Sequence, residues 1–314
     1  MAINKEIGKR KSFGDIYLRT RVSEDEPLLK VEKAAESAGL WRAVERELEK
    51  LYSSEGRPGF PPLVLFKCLI LEIMYGLSDR EAERVLRRDM LFMRFVGLGM
   101  DDPVPDHSTL SRFRERLKGT GLTEGAMRYL ERTFEEKGLV VKKGVIVDAS
   151  IVPAQRRDDP EARWVKRGKK SRFGFKANLA VDKDTMMVRR VEASPADVHD
   201  SLFFEAVLPL DVDEVLADKA YDDDGRRRRL RGMGIRPNIM KRARRNNPLS
   251  QAEKALNKEW GRRRARVETV FGCLKNMFGL SRARWKGLAR FRLQTLLACL
   301  AWNLFHAAKL AYTQ

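Results

Sequence analysis

Val145-Ile-Val-Asp148 and Val215-Leu-Ala-Asp218 decide the reading of this chain. Each is a short apolar run that stops on an aspartate, the pattern of a buried strand meeting a loop. Carboxylates at the carboxyl ends of neighbouring strands lie at the sheet edge where α/β folds place ligands. Either aspartate alone is accounted for as a turn residue after a strand. The pair calls for a third acidic partner.

Outward from these two runs, the period of the sequence changes at Gly138. Beyond it, Leu139–Val141, Val145–Val147, Phe175–Val181, Met186–Val191, Val212–Ala217 and Ile235–Ile239 read as strands, with Asp182-Lys-Asp-Thr185 as a hairpin turn. Asp200–Leu208, Asp224–Met233, Gln251–Phe278 and Ala289–Tyr312 read as helices. Before Gly138 the chain is helical. From Pro27 to about Leu51 the chain reads as a helical stripe carried by Leu40, Val44 and Leu48, and Leu63–Tyr75 is a buried helix closed by Gly76. Ser78-Asp-Arg-Glu81 has the form of a capping box, a further helix covers Asp89–Phe95, and one starting near Ser108 carries Arg112, Arg114, Arg116 and Lys118. Helices followed by mixed strands and helices predict an α+β or α/β chain of two domains. The expected divisions are a loosely held basic arm over 1–24, a helical domain over 25–140, and a mixed sheet flanked by helices over 141–314.

The third carboxylate is Glu268. In Arg264-Ala-Arg-Val-Glu-Thr-Val-Phe-Gly-Cys-Leu-Lys275, helical geometry puts Arg264 about 40° and Lys275 about 20° around the axis from Glu268. Val267, Val270, Phe271 and Leu274 fall on the adjoining side. A solvated i,i+4 ion pair accounts for Arg264 and Glu268 but not for a charged strip beside so apolar a face. Hard carboxylate oxygens suit Mg²⁺, which binds through one or two carboxylates plus phosphate oxygens. Two such ions can clamp the attacking and leaving oxygens of a phosphoryl transfer. Arg264 and Lys275 would then hold DNA phosphates.

The 314 residues include 63 Lys and Arg against 44 Asp and Glu, a net charge of +19 that points to a nucleic-acid partner. Hydrophobic content of 43% excludes wholesale disorder. Cys68, Cys273 and Cys299 are too scattered for a disulfide framework or zinc site, and His107, His199 and His306 do not cluster. No signal peptide opens the sequence, and the apolar windows Leu63–Met74 and Leu293–Ala308 are interrupted by polar residues. A cytoplasmic location is expected.

Six segments together resemble a family. They are Pro105-Asp-His-Ser-Thr-Leu-Ser-Arg-Phe-Arg114, Val147-Asp-Ala-Ser-Ile-Val-Pro-Ala154, Gly174-Phe-Lys-Ala-Asn178, Ala193-Ser-Pro-Ala-Asp-Val-His-Asp200, Ala217-Asp-Lys-Ala-Tyr-Asp222 and Arg264-Ala-Arg-Val-Glu268. In this order they resemble bacterial insertion-sequence transposases of the D-D-E type, in the insertion-sequence-five group. The resemblance implies an RNase H-like catalytic domain with Asp148, Asp218 and Glu268 as catalytic and metal-binding residues. It also implies two Mg²⁺ ions, for which Mn²⁺ can substitute. Terminal inverted repeats, bound by the helical domain over 25–140, which also dimerises, and target DNA would be the partners, with a homodimer in the synaptic complex. Arg264, Glu268 and Lys275 match the family's Tyr-x₂-Arg-x₃-Glu-x₆-Lys signature. Gly261 stands at the tyrosine, beside Trp260, and Asn178 stands where relatives often carry His.

Lys176 and His199 become neighbours of the site by analogy, with Lys176 expected to contact DNA. The runs Arg226–Arg229 and Lys241–Arg245, including Arg227 and Arg244, read as DNA-facing or as solvated charge. The Ser108–Lys118 helix, with Arg112, Arg114 and Arg116, reads as a recognition helix. The expected activity is DNA cleavage and strand transfer. A nuclease without strand transfer, or an inactive DNA-binding relic, are the alternatives.

Overall fold

The computed structural model describes residues 3–8, 12–53, 55, 58–138, 143–168, 170–245 and 247–311. The Leu139–Val141 strand expectation lies outside them. The chain divides into two compact units. One runs up to Leu130 and includes Met277–Gly279 and the segment from Leu300; the other is Glu131–Asn276 with Leu280–Cys299.

The first unit is helical. Its elements are α1 (Phe13–Arg21), α2 (Pro27–Ser37), α3 (Leu40–Glu49), α4 (Pro62–Tyr75), α5 (Asp79–Leu86), α6 (Met90–Val96), α7 (His107–Leu117) and the start of α8 (Leu122–Glu136). α4 is apolar around most of its circumference, so it becomes the centre: Val64, Leu65, Phe66, Cys68, Leu69, Ile70, Leu71 and Ile73 are all buried. Gly76 ends it at φ 67°, a left-handed cap that favours glycine. The Ser78 capping box forms, with Ser78 Oγ accepting from Glu81 N and Glu81 Oε2 from Ser78 N. Two expectations change here. The stripe after Pro27 is two helices, because Gly39 at φ 68° breaks it. The segment expected to be a loose arm contains α1, where Leu18 is buried and Asp15 accepts from Ser12 N.

The second unit is a mixed sheet. It contains β1 (Gly144–Pro153), β2 (Arg163–Arg167), β3 (Lys170–Asp182), β4 (Val188–Pro195), α9 (Phe204–Val207), β5 (Glu214–Ala217), α10 (Asp224–Gly232), β6 (Arg236–Ile239), α11 (Gln251–Arg264), α12 (Arg266–Asn276) and the first half of α13 (Leu288–Ala311). β1, β3 and β4 form an antiparallel meander, and β5 and β6 run parallel to β1 in the order β4-β3-β1-β5-β6. Asp182 makes the turn after β3, accepting from Thr185 N and Thr185 Oγ1 at 2.8 Å. Val145 and Val147 point into a cluster with Phe204, Val207, Val215, Tyr221, Leu230 and Ile239. The alternate residues of β1 face the other way, towards α12.

The helix expected over Gln251–Phe278 is two helices, broken at Ala265. α11 buries none of its residues, whereas α12 buries Val267, Val270, Phe271 and Leu274. The run expected to be one helix over Asp200–Leu208 is a 3₁₀ turn, Asp200–Phe203, followed by α9.

Candidate active site

Asp148 does not end its strand. β1 continues to Pro153 because Ala149–Pro153 keep pairing with β3, from Asn178 to Gly174. What ends near Asp148 is the parallel pairing with β5, whose last register is Val147 beside Ala217. Asp148 and Asp218 are therefore the next residues on two adjacent parallel strands, where the sheet opens. Asp218 caps the 3₁₀ turn Lys219–Tyr221 and accepts from Lys219 N at 2.7 Å. Asp148 Oδ1 accepts from Ala149 N at 2.9 Å.

Glu268 reaches this place through Arg264. The guanidinium donates to Asp148 Oδ2 at 2.7 Å, and its other Nη is 3.7 Å from Glu268 Oε1. The Glu268 side chain is 70% exposed, against 18% for Asp148, so the two carboxylates flank one cation rather than meeting. Among the described residues no three His, Cys, Asp or Glu side chains are gathered closely enough to hold a metal ion. Lys275, eleven residues beyond Arg264, donates to Ser150 Oγ at 2.6 Å, on the same face of β1 as Asp148. Arg264 and Lys275 thus line the edge of β1 that carries the first aspartate.

Behind the strand ends lies Tyr221, which is 2% exposed. Burial raises its phenol pKa, and the nearby carboxylates of Asp148, Asp200 and Asp218 raise it further, so it stays neutral. Asp200 in turn pairs with Lys176 at 2.6 Å.

Three residues expected to meet DNA are instead structural. Arg114 is 5% exposed and holds Asp79 in a bidentate pair, both bonds 2.8 Å. Arg227 is 4% exposed and binds Asp222 Oδ1 while donating to the Pro237 and Ile239 carbonyls. Lys176 is 8% exposed and donates to Val198 O as well as pairing with Asp200. A buried cation needs such partners, and having them removes it from the surface. Arg226, in the same run as Arg227, is also buried: it binds Glu205 and the carbonyls of Tyr221 and Ser201.

Arg112, Arg116 and Arg244 are exposed. Arg112 donates to the hydroxyls of Ser108 and Thr109, Arg116 lies over the Tyr52 ring, and Arg244 pairs with Asp224. His199 Nδ1 meets Ser201 Oγ and caps the 3₁₀ turn, so it is a turn residue here. At Gly261 a Cβ would meet only Met240 Cε, at 3.9 Å, so the missing tyrosine is not excluded by crowding at the backbone. Asn178 is buried and donates to Ser194 Oγ and Glu192 O.

Sequence reading missed Ser150, Asp200 and the pairing of Arg264 with Asp148. Ser150 could have been found by the two-residue period of a strand, since it follows Asp148 on the same face.

The order of the strands, with carboxylates where the pairing of the two central parallel ones stops, is that of an RNase H-like fold. The sequence pattern of the family described as Transposase DDE domain matches residues 141–304, more than half of the chain, and that of Transposase domain (DUF772) matches residues 16–116. The chain belongs to the DDE transposase family, in its insertion-sequence branch. Among solved structures it resembles a cryo-EM structure of the piggyBac transposase synaptic complex with hairpin DNA. The TM-score is 0.47, with 12% identity over 92% of this chain and 76% of that one.

The protein is a DNA transposase, and its family implies dependence on a divalent metal. The residues present suit such an ion: the groups at the strand ends are hard carboxylate oxygens, and a guanidinium already supplies positive charge between two of them. Among the described residues no helix is long and apolar enough to cross a membrane.

Proposed function

We propose that Asp148, Asp218 and Glu268 hold two Mg²⁺ ions, with Mn²⁺ able to substitute. The reaction is cleavage at the ends of an insertion sequence followed by transfer of the freed 3′-hydroxyl to target DNA. The observation that carries this is the register of β1 and β5, which puts Asp148 and Asp218 each one residue past the last pair of these adjacent parallel strands, with Arg264 linking Asp148 to Glu268. Bound there, two divalent ions supply Lewis acidity to the attacking and the leaving oxygen. Arg264 turns from the carboxylates to a DNA phosphate, and Lys275 holds a second phosphate beside Ser150. The buried neutral Tyr221 keeps water from the back of the site.

The helical domain over residues 25–140 binds the terminal inverted repeats, with Arg112 and Arg116 meeting phosphates, and the domain over 141–314 carries the chemistry. Two element ends are synapsed by a homodimer. The six segments support a reading of the protein as a member of the insertion-sequence-five group, acting on the nucleoid in the cytoplasm.

The test is cleavage of DNA carrying the inverted repeats that flank the gene. Asp148→Asn, Asp218→Asn and Glu268→Gln should each abolish Mg²⁺-dependent product while leaving DNA binding intact. Wild-type activity in all three would refute the assignment. A pre-cleaved 3′-hydroxyl end that yields joined product separates transfer from cleavage alone.

A further inference from the structure

β2 and the first residues of β3 stand apart from the sheet. β1 pairs with β3 only as far as Pro153 beside Gly174, and β2 pairs with the remainder, from Arg163 beside Gly174 to Arg167 beside Lys170. The result is a two-stranded ribbon running past the end of β1. Between Arg163 and Arg172 the sequence has six Lys and Arg and no acidic residue.

Cross-strand partners share a face, so Arg163, Lys170 and Arg172 lie on one face. Trp164 and Phe173 lie on the other, their rings 5.4 Å apart, with Trp164 57% exposed. The side chains of Lys166, Lys170 and Arg172 are exposed and make no hydrogen bond or ion pair with the described residues.

Many cations elsewhere in this unit are matched by carboxylates. Arg189 pairs with Glu131 and Asp211, Arg226 with Glu205, Arg263 and Lys183 with Glu214, and Arg292 with Glu192. Uncompensated like charges on one ribbon repel each other, and a polyanion relieves that repulsion.

The ribbon is also fixed at its base. A Cβ at Gly174 would lie 2.2 Å from Val152 O and 2.8 Å from Ala154 N, so the strands cross there in close contact. The loop leading into β2 is tied down by Asp159, which is 5% exposed and accepts from Gly287 N at 2.8 Å, and by Glu161, which accepts from Leu288 N. A fixed base and a charged, unpaired end make a pre-oriented arm.

We propose that this ribbon is a DNA-contacting arm whose basic face, through Lys170 and Arg172, lies along the phosphates of duplex DNA. The inference rests on the reading of the protein as a DNA transposase. Phosphate contacts are sequence-independent, and each contributes roughly 0.9 to the slope of log K against log salt.

The full chain is titrated with a labelled random-sequence duplex over a KCl series, comparing wild type, K170Q/R172Q and the charge-matched K33Q/K50Q. The ribbon variant should lose about 1.8 from the slope, roughly 0.9 for each contact removed, and K33Q/K50Q should lose much less. Thermal unfolding should be unchanged in the ribbon variant. A wild-type slope in K170Q/R172Q, or an equal loss in K33Q/K50Q, overturns the proposal. If wild type binds no duplex and gives no Mg²⁺-dependent product, the transposase reading fails instead; a wild type that binds and cleaves with an unchanged variant slope sinks the ribbon alone.

Discussion

Arg264→Ala should tighten metal binding while weakening DNA cleavage. The guanidinium is bound to Asp148 Oδ2 at 2.7 Å, on an oxygen that an ion needs. A hydrogen bond to a charged group contributes about 1.5–3 kcal/mol. Both side chains are partly open to water, at 17% and 18% exposure, which favours the lower end. The second contact, 3.7 Å to the exposed Glu268 carboxylate, adds little. An ion that takes Asp148 from Arg264 therefore works against about 1.5 kcal/mol, or roughly tenfold in affinity. Mn²⁺ titration followed by electron paramagnetic resonance on the full chain should show about tenfold tighter binding in Arg264→Ala and none in Asp148→Asn. Cleavage of end-containing DNA by Arg264→Ala should fall, because the phosphate contact is gone. If the variant binds Mn²⁺ no tighter than wild type, Arg264 does not compete for Asp148 and the argument is wrong.

Arg227→Ala should destabilise the second unit by about 3–5 kcal/mol, because Asp222 stays buried at 5% exposure without its cation; urea unfolding checks this, and a loss under 1 kcal/mol would restore Arg227 as a surface residue. Acid should loosen the helical unit around α7. Hydrogen bonds from His107 and Arg87 hold the Glu83 carboxyl at about 2 instead of 4.5, and those from Ser108 and Thr109 hold Asp106 at about 2 instead of 3.8. Folded pKa values below the unfolded ones give stability that is complete above about pH 5 and lost as the pH falls towards 2; Glu83→Gln with Asp106→Asn should flatten that part of the stability–pH curve, and an unchanged slope would refute it. Gly174→Ala should cost about 1–3 kcal/mol, since its Cβ would press on backbone atoms that cannot turn aside; an unaltered melting temperature would mean that the strands separate there without cost.

The parts of the fold legible in the sequence are those with a one-dimensional signal. α4 announces itself by length and apolarity, α5 by its capping box, and β5 by a run that ends on Asp218. The break at Ala265 has no such mark. Alanine is the best helix former, and only the need to lay α12 on the sheet, while α11 buries nothing, ends the helix there. β2 was missed because Arg163-Trp-Val-Lys-Arg167 is short and mostly charged, and its pairing with β3 comes from tertiary contact. The roles of the arginines were open to helical phase but hidden by composition. Arg226 and Arg227 stand four and three residues before the buried Leu230, and Arg114 stands three before the buried Leu117, so each shares a buried face.

Those inward arginines alter what the basic composition means. Two of them hold the chain that follows Asp218: Arg226 donates to the Tyr221 carbonyl, and Arg227 binds Asp222. Asp222 Oδ2 also accepts from Arg242 N, so one buried carboxylate joins the loop after β5 to the segment after β6. A loop carrying a carboxylate beside a second carboxylate is pushed open by their repulsion, and rigid cations behind it oppose that opening. Part of the basic composition is therefore scaffolding that keeps Asp218 beside Asp148. Because each scaffolding arginine is matched by a carboxylate, the surplus of +19 remains for a polyanion, carried by cations such as Arg112 and Arg116 of α7 and those of the β2–β3 ribbon.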